Sequence, residues 1–368
     1  MKVLHLSAVR NFGGGENHIL NLGTELKDLP DIQNLILTVK NSDFSNILNG
    51  DLVRKYEAPL KIKFDLRYTF KIITICKKEK IDLIHIHDPT ALTLAVAATK
   101  LAKLPPFIFS KKTSFPIKNR RSTLYKYNHW NIKKVLCVSE ETRKVTARSI
   151  KDTSKLTTVY HGTSPNKSTN TPFLLREKLE LKPDTIIVGT IANHIRAKNL
   201  ETWLAVVDEI INVRNEKNFH FVQIGEHTER TPAYLEIIKQ KNLNDHISLL
   251  GFMPEASNFI PQFDISLLTS QSEGLPQFIY ESFYHKTPVV STNVGGIPEI
   301  IKTGENGLLS NPYEVESLAD KLIALSQDRE LQKKFAERSF RILQNNFTTQ
   351  VMAEKTLSEY KKVLYGTN

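Results

Sequence analysis

Asp264-Ile265-Ser266-Leu267-Leu268, with Ser272-Glu273-Gly274-Leu275-Pro276-Gln277-Phe278-Ile279-Tyr280-Glu281 a few residues on, reads as a strand, a turn and the start of a helix. The apolar run is short and bounded by turn residues, the pattern of a strand buried on both faces. Open α/β sheets bind ligands beyond the carboxyl ends of such strands, and the Glu-Gly-Leu-Pro turn falls there. A helix starting near Pro276 would direct unbonded backbone N–H groups the same way, a ready seat for phosphate.

The same grammar recurs on both sides. Lys2-Val3-Leu4-His5-Leu6-Ser7 is an apolar run, Asn11-Phe12-Gly13-Gly14-Gly15 is a turn, and Ile19, Leu20, Leu22 and Leu26 follow at helical spacing. Strands are expected at 34–39, 81–87, 107–110 and 135–139, with helical patterns between most of them. Residues 162–184 hold three prolines and the polar run Asn166-Lys167-Ser168-Thr169-Asn170, so a linker is expected there. A second alternating series opens at Ile186-Ile187-Val188-Gly189-Thr190-Ile191, with further strands near 219–224, 247–249, 265–268 and 288–291. The expected fold is α/β, with two Rossmann-like doubly wound parallel-sheet domains facing a central cleft. Their expected spans are 1–170 and 171–347, with a last helix at about 348–365 packing back onto the first.

Bulk properties agree with this division. A chain of 368 residues exceeds what one hydrophobic core usually holds, and 40% apolar with 24% charged residues is a soluble globular composition. No apolar run approaches a membrane span, and Met1 leads straight into a strand, so no export signal is expected. Cys76 and Cys137 are the only cysteines, which excludes a disulfide scaffold or a Cys-rich metal site and suits a reducing cytoplasm. Residues 1–170 carry 29 basic and 14 acidic residues, while 171–368 carry 21 and 25. A basic front half suggests contact with something anionic: nucleic acid, a membrane surface or a phosphorylated substrate.

Glu281 lies about one and a half turns into the helix after Pro276, able to accept hydrogen bonds from ribose hydroxyls. Two carboxylates, Glu273 and Glu281, separated by Gly and Pro suit a sugar nucleotide better than a metal. A helix capped by an acidic turn is the structural alternative. His85 and His87 lie on one side of a strand, since side chains alternate. With Asp88 they suggest a divalent metal, but no further ligand cluster accompanies them and none is expected.

Glu273 to Glu281 matches the E-x7-E motif, and the chain resembles the retaining GT-B glycosyltransferases of family 4 over about a hundred surrounding residues. The motifs include Gly251-Phe252, Thr287-Pro288-Val289-Val290-Ser291-Thr292-Asn293-Val294-Gly295-Gly296-Ile297-Pro298-Glu299-Ile300 and Gly304-Glu305-Asn306-Gly307-Leu308-Leu309. The resemblance implies that Glu273 contacts the transferred sugar and Glu281 the ribose. It implies that Gly274, Leu275 and Pro276 offer backbone N–H groups or close approach to sugar and diphosphate, and places Phe252 at the donor. Relatives carry an Arg and a Lys after the second domain's first strand that neutralise the leaving diphosphate. Lys198 fills the Lys slot; Asn193 stands in the Arg slot, and Arg196 would supply the missing charge. The glycines of Val294-Gly295-Gly296 are read first as permitting positive φ.

In the front half, Gly13-Gly14-Gly15-Glu16 resembles the family's Gly-Gly-x-Glu turn, with Gly14 at the donor phosphates and Glu16 at the acceptor or capping a helix. His87 would face the acceptor. Many relatives have a sugar-contacting His after the next strand; here Lys112 stands at that slot, as a donor or acceptor contact. The family uses no metal cofactor, and the donor's own phosphate would take the acceptor's proton.

Residues 111–134 hold Lys111, Lys112, Lys118, Arg120, Arg121, Lys126, Lys133 and Lys134 without one acidic residue, interleaved with Phe115, Tyr125, Tyr127 and Trp130. This composition suits anionic lipid. It would also suit RNA, but no RNA-binding motif occurs and no nucleic-acid partner is expected; a merely solvated basic face is the other alternative. The expected function is transfer from a nucleotide sugar, a UDP-sugar, to a saccharide or lipid-linked acceptor. The setting is cell-surface polysaccharide or lipopolysaccharide synthesis, in the cytoplasm or peripheral on the inner face of the plasma membrane. A sugar-nucleotide epimerase of the same fold and a non-catalytic sugar-nucleotide-binding protein are the alternatives.

Overall fold

The computed structural model describes residues 1–48, 53–62, 65–164 and 171–366; the tract 165–170 of the expected linker lies outside them. The chain forms two compact units, Met1–Ser164 with Phe347–Asn368, and Pro165–Asn346.

The first unit alternates β1 (Lys2–Leu6), α1 (Gly14–Leu26), β2 (Gln33–Val39), α2 (Asp43–Ile47), β3 (Arg54–Ala58), α3 (Leu66–Glu79) and β4 (Leu83–Ile86). It continues through α4 (Pro89–Ala98), β5 (Phe107–Lys111), α5 (Arg121–Tyr127), β6 (Ile132–Cys137), α6 (Glu140–Ala147) and β7 (Leu156–Thr158). Its seven parallel strands take the order 3-2-1-4-5-6-7, so the order reverses between β1 and β4. The central strands are buried along their length, as Val, Ile and Leu runs must be when helices cover both faces.

The second unit runs α7 (Leu175–Lys178), β8 (Ile186–Ile191), α8 (Leu200–Asp208), β9 (Phe219–Ile224), α9 (Thr231–Gln240), β10 (Ile247–Leu249) and β11 (Ile265–Leu268). After them come α10 (Gln277–Tyr284), β12 (Val289–Thr292), α11 (Ile297–Ile300), β13 (Leu308–Ser310), α12 (Val315–Gln327) and α13 (Arg329–Asn346). Six parallel strands lie in the order 10-9-8-11-12-13, with the reversal between β8 and β11. Each unit has its own apolar core; Trp203, Phe221 and Phe335 are fully buried in the second.

The last helix, α14 (Thr349–Tyr365), packs on α1 and β6, burying Met352, Ala353 and Tyr360 against Val3, Leu22 and Leu83. Its return is pinned where Thr163 N–H donates to the Phe347 carbonyl at 2.9 Å and Thr349 N–H to the Thr163 carbonyl at 3.2 Å. A Cβ on Gly162 would fall 2.3 Å from the Thr348 carbonyl oxygen, so only glycine admits this approach.

Periodicity missed three strands: β3, β7 and β13, all near or at sheet edges, where an apolar run is unnecessary. The strand expected at 135–139 lies earlier, because Ile132-Lys133-Lys134 takes part despite its two lysines. Among the described residues no helix is long and apolar enough to cross a membrane.

Candidate functional site

In the second unit, the segments leaving β8 and β11 meet at the point where strand order reverses, the place where doubly wound sheets bind ligands. The loop after β8 turns through a 3-10 segment, Arg196–Lys198, into Asn199 at φ 51°, and the Lys198 side chain meets the turn after β11. Its Nζ donates to Glu273 Oε1 at 2.6 Å, and Ser270 Oγ donates to the same oxygen at 2.6 Å. Both partners are mostly buried, so solvent screens this pair less than a surface one. Backbone bonds fix the frame: Gln271 N–H to the Ala197 carbonyl at 2.9 Å, and Gln271 Nε2 to the Arg196 carbonyl at 2.7 Å.

Arg196 itself is exposed and has no ion-pair partner among the described residues. Asn193 uses its Oδ1 to accept from Glu226 N–H at 2.9 Å, tethering the loop after β9. Gly274, Leu275 and Pro276 lead into α10, whose start has no side-chain cap. Burial raises the Glu281 carboxyl to about 7. Phe252, after β10, is 72% exposed.

The Val294-Gly295-Gly296 turn braces this frame from behind. Gly295 has φ +56°, and a Cβ there would fall 1.8 Å from the Glu273 carbonyl oxygen. Gly296 N–H donates to the Gly274 carbonyl at 2.8 Å. These glycines have a structural task, the close approach of two turns.

In the first unit, Gly14 opens α1 at the carboxyl end of the sheet and is exposed. Lys112, just past β5, donates from Nζ to the Gly15 carbonyl at 2.7 Å. Burial lowers its ammonium to about 8, against the opposing charges of Glu16 and Asp88. Burial raises the Glu16 carboxyl. Gly14, Glu16 and Lys112 therefore form one polar group at the β1/β4 reversal.

Beneath them lies a buried histidine cluster. His5 Nδ1 faces His87 Nε2 at 3.0 Å, and His5 Nε2 faces Asn34 Oδ1 at 3.1 Å. His85 is held by Tyr360 of α14 and by Ser110 at 2.7 Å, while His18 on α1 meets His161 at 2.8 Å. Burial depresses all five imidazoles, His5 to about 4 and His161 to about 3, so they are neutral near pH 7. His87 is itself buried, with Nδ1 unpartnered.

His5, His85 and His87 are close enough to share an ion. Both nitrogens of His5 and His85 are already engaged, however, and no carboxylate joins them. Asp88 spends its oxygens on the N–H groups of Ala8 at 2.7 Å and of Thr90 and Ala91 at 2.8 Å, capping α4. The cluster is three hydrogen-bonded groups, Asn34–His5–His87, Ser110–His85–Tyr360 and His18–His161, whose rings pack on one another. Sequence reading noticed only His85 and His87; the period-two repeat was the available signal, and His5 on the adjacent strand supplies the third ring.

Comparison with known proteins covers nearly the whole chain. Residues 12–167 match the family described as Glycosyltransferase Family 4, and residues 173–341 match Glycosyl transferases group 1. N-acetyl-alpha-D-glucosaminyl L-malate synthase of Bacillus anthracis is 23% identical over 88% of this chain and 85% of its own length. UDP-Gal:alpha-D-GlcNAc-diphosphoundecaprenol alpha-1,3-galactosyltransferase of Escherichia coli is 22% identical over 90% of this chain and 89% of its own. Among solved structures, Anabaena HepE in complex with UDP-glucose superposes with a TM-score of 0.85 at 18% identity, covering 98% of this chain and 100% of that one.

Proposed function

Because this chain belongs to glycosyltransferase family 4, a retaining family of GT-B fold that transfers sugar from a nucleotide sugar, we propose that it adds a hexose from a UDP-sugar to a lipid-linked saccharide acceptor in cell-surface polysaccharide or lipopolysaccharide synthesis. The observation that carries the site assignment is the Lys198–Glu273 pair, held at the strand reversal of the second unit. The UDP donor draws support from HepE, solved with UDP-glucose, and the lipid-linked acceptor from the Escherichia coli relative, named for a diphosphoundecaprenol acceptor.

In this reading the second unit holds the donor. Glu281 accepts hydrogen bonds from the ribose, Gly274, Leu275 and Pro276 line the diphosphate and sugar, and Phe252 lies along the donor. Lys198, with Arg196 from the same loop, stabilises the negative charge that grows on the departing diphosphate, where fixed cations act most strongly. Glu273 orients the transferred sugar while Lys198 and Ser270 fix its carboxylate. In the first unit Gly14 approaches the donor phosphates, and Glu16 and Lys112 form the acceptor side, with the buried His87 beneath them instead of facing the acceptor as the sequence suggested. The acceptor hydroxyl attacks on the face the diphosphate leaves, and the donor phosphate takes its proton.

The test is incubation of the protein with radiolabelled UDP-, GDP- and ADP-sugars and a membrane lipid extract. Label entering the lipid fraction from the UDP-sugar alone is the expected result. An altered free sugar nucleotide would point to epimerisation, and binding without turnover to a sensor; either would overturn the proposal.

A further inference from the structure

The first unit carries a surface that none of its catalytic candidates uses. From Pro89 to Ser139 the sequence holds ten Lys and Arg and no Asp or Glu. Folding spreads this stretch over α4, β5, α5, β6 and the segments between them. Lys100, Lys103, Lys118, Arg120 and Arg121 are all exposed there, and none has an ion-pair partner among the described residues.

Large apolar groups stand out between these charges. Leu101, Phe115 and Tyr125 are each 56% exposed and Trp130 is 62% exposed. They are held, not loose: the His129 ring packs on both Tyr125, with centroids at 5.8 Å, and Trp130 at 5.5 Å. Between α4 and α5 runs a groove of about 900 Å³, with Val96 and Ala97 in its lining and Lys100, Arg121 and Tyr125 along it. Lys126 bridges the two helices, donating to the Pro89 carbonyl and to Thr93 Oγ1, both at 3.0 Å.

Exposed aromatics beside unpaired cations are a costly arrangement in water and a favourable one at a lipid headgroup layer, where rings enter the interface and cations meet phosphate. The sign of the charge and the absence of any acidic residue from this stretch of sequence argue against a basic protein partner. We propose that the α4–α5 face is the surface by which this protein docks on an anionic phospholipid bilayer, with a lipid headgroup phosphate in the groove between Lys100 and Arg121. The surface is continuous in the chain with the acceptor-side group. α4 begins directly after His87 and Asp88, and the loop carrying Phe115 begins directly after Lys112. The start of α4 and the loop carrying Phe115 therefore lie on the side of the residues proposed to receive a lipid-linked acceptor. This part of the inference rests on the acceptor reading above; the docking itself does not.

The test is sedimentation of the full chain with vesicles of phosphatidylcholine alone and with 30 mol% phosphatidylglycerol (about a third anionic, enough to set a surface potential), at low and high salt. Binding is expected only to the anionic vesicles and is expected to fall with salt. Arg120→Gln with Arg121→Gln should weaken partition about twenty-fivefold, taking about fivefold per cation. Trp130→Ser with Tyr125→Ser should weaken it at both salt concentrations. UDP binding by calorimetry on the same samples should not change. No binding to anionic vesicles, equal binding to neutral ones, unaltered partition in both variants, or capture by RNA in place of vesicles would each overturn the proposal. Vesicle binding without transfer to lipid would leave docking standing and remove the acceptor reading instead.

Discussion

Lys198 and Glu273 contact each other and also have different expected roles, so their substitutions should separate. Lys198→Ala removes a cation from the departing diphosphate and should lower kcat about a hundredfold or more, the usual scale for one transition-state donor. Glu273→Ala should reduce turnover more than UDP affinity, since its carboxylate faces sugar rather than nucleotide in the proposed reading. Labelled-sugar transfer and UDP titration on both variants check this, and wild-type turnover in Glu273→Ala would remove the assignment. Glu281 offers a pH test. Its folded carboxyl titrates near 7, above the unfolded value of 4.5, so burial favours the protonated form. Ionising it costs stability that is fully lost only above the folded value, up to about 3 kcal/mol between pH 4.5 and 7. Glu281→Gln should therefore be more stable than wild type at pH 8 and equal to it at pH 4. Wild-type donor affinity should rise from pH 6 to 8 as the carboxylate forms, while the Gln variant stays flat; calorimetric titration across that range reads both.

At the scale of elements, the turns carry the site more than the helices do. Gly295→Ala puts a methyl group into the Glu273 carbonyl at a left-handed position, a strain of roughly 1–3 kcal/mol before any clash is relieved. The turn preceding α10 must then move, so UDP affinity should fall together with the thermal midpoint. An unchanged UDP affinity would separate the brace from the site. Much of this layer was legible in sequence because its signals are local. β8, β9 and β11 are apolar runs buried on both faces, and the Lys198 loop and the Glu273 turn each follow a strand directly. β3 was not legible: Arg54-Lys55-Tyr56-Glu57-Ala58 pairs with one neighbour only and leaves Arg54 and Lys55 in solvent, so no hydrophobic period marks it. Asn193 was read as a departure from a family pattern, and the structure supplies its use, a tether to the next loop.

At the scale of the molecule, the first unit is the one expected to yield to acid. Its five buried imidazoles titrate below their unfolded value of 6.5, so the unfolded chain binds more protons between that value and the folded ones. Stability is complete above about pH 6.5 and falls as pH drops toward 4 and 3, by up to about 1.4 kcal/mol per pH unit for each histidine. Hydrogen exchange resolved by segment at pH 7, 6 and 5 should show protection lost around β1, β4 and α14 first; a uniform loss over both units would contradict it. None of this could be read from sequence, since the contacts that make it join His18 to His161, Gly15 to Lys112 and His85 to Tyr360. Such separations are fixed by topology alone. The last of these contacts bears on the order of folding. On β4, His85 waits for Tyr360 and the rest of α14, which follow Pro165–Asn346 in the chain. The unit encoded between its two segments can be finished first, and the first unit is completed only when α14 closes like a clasp over its histidines.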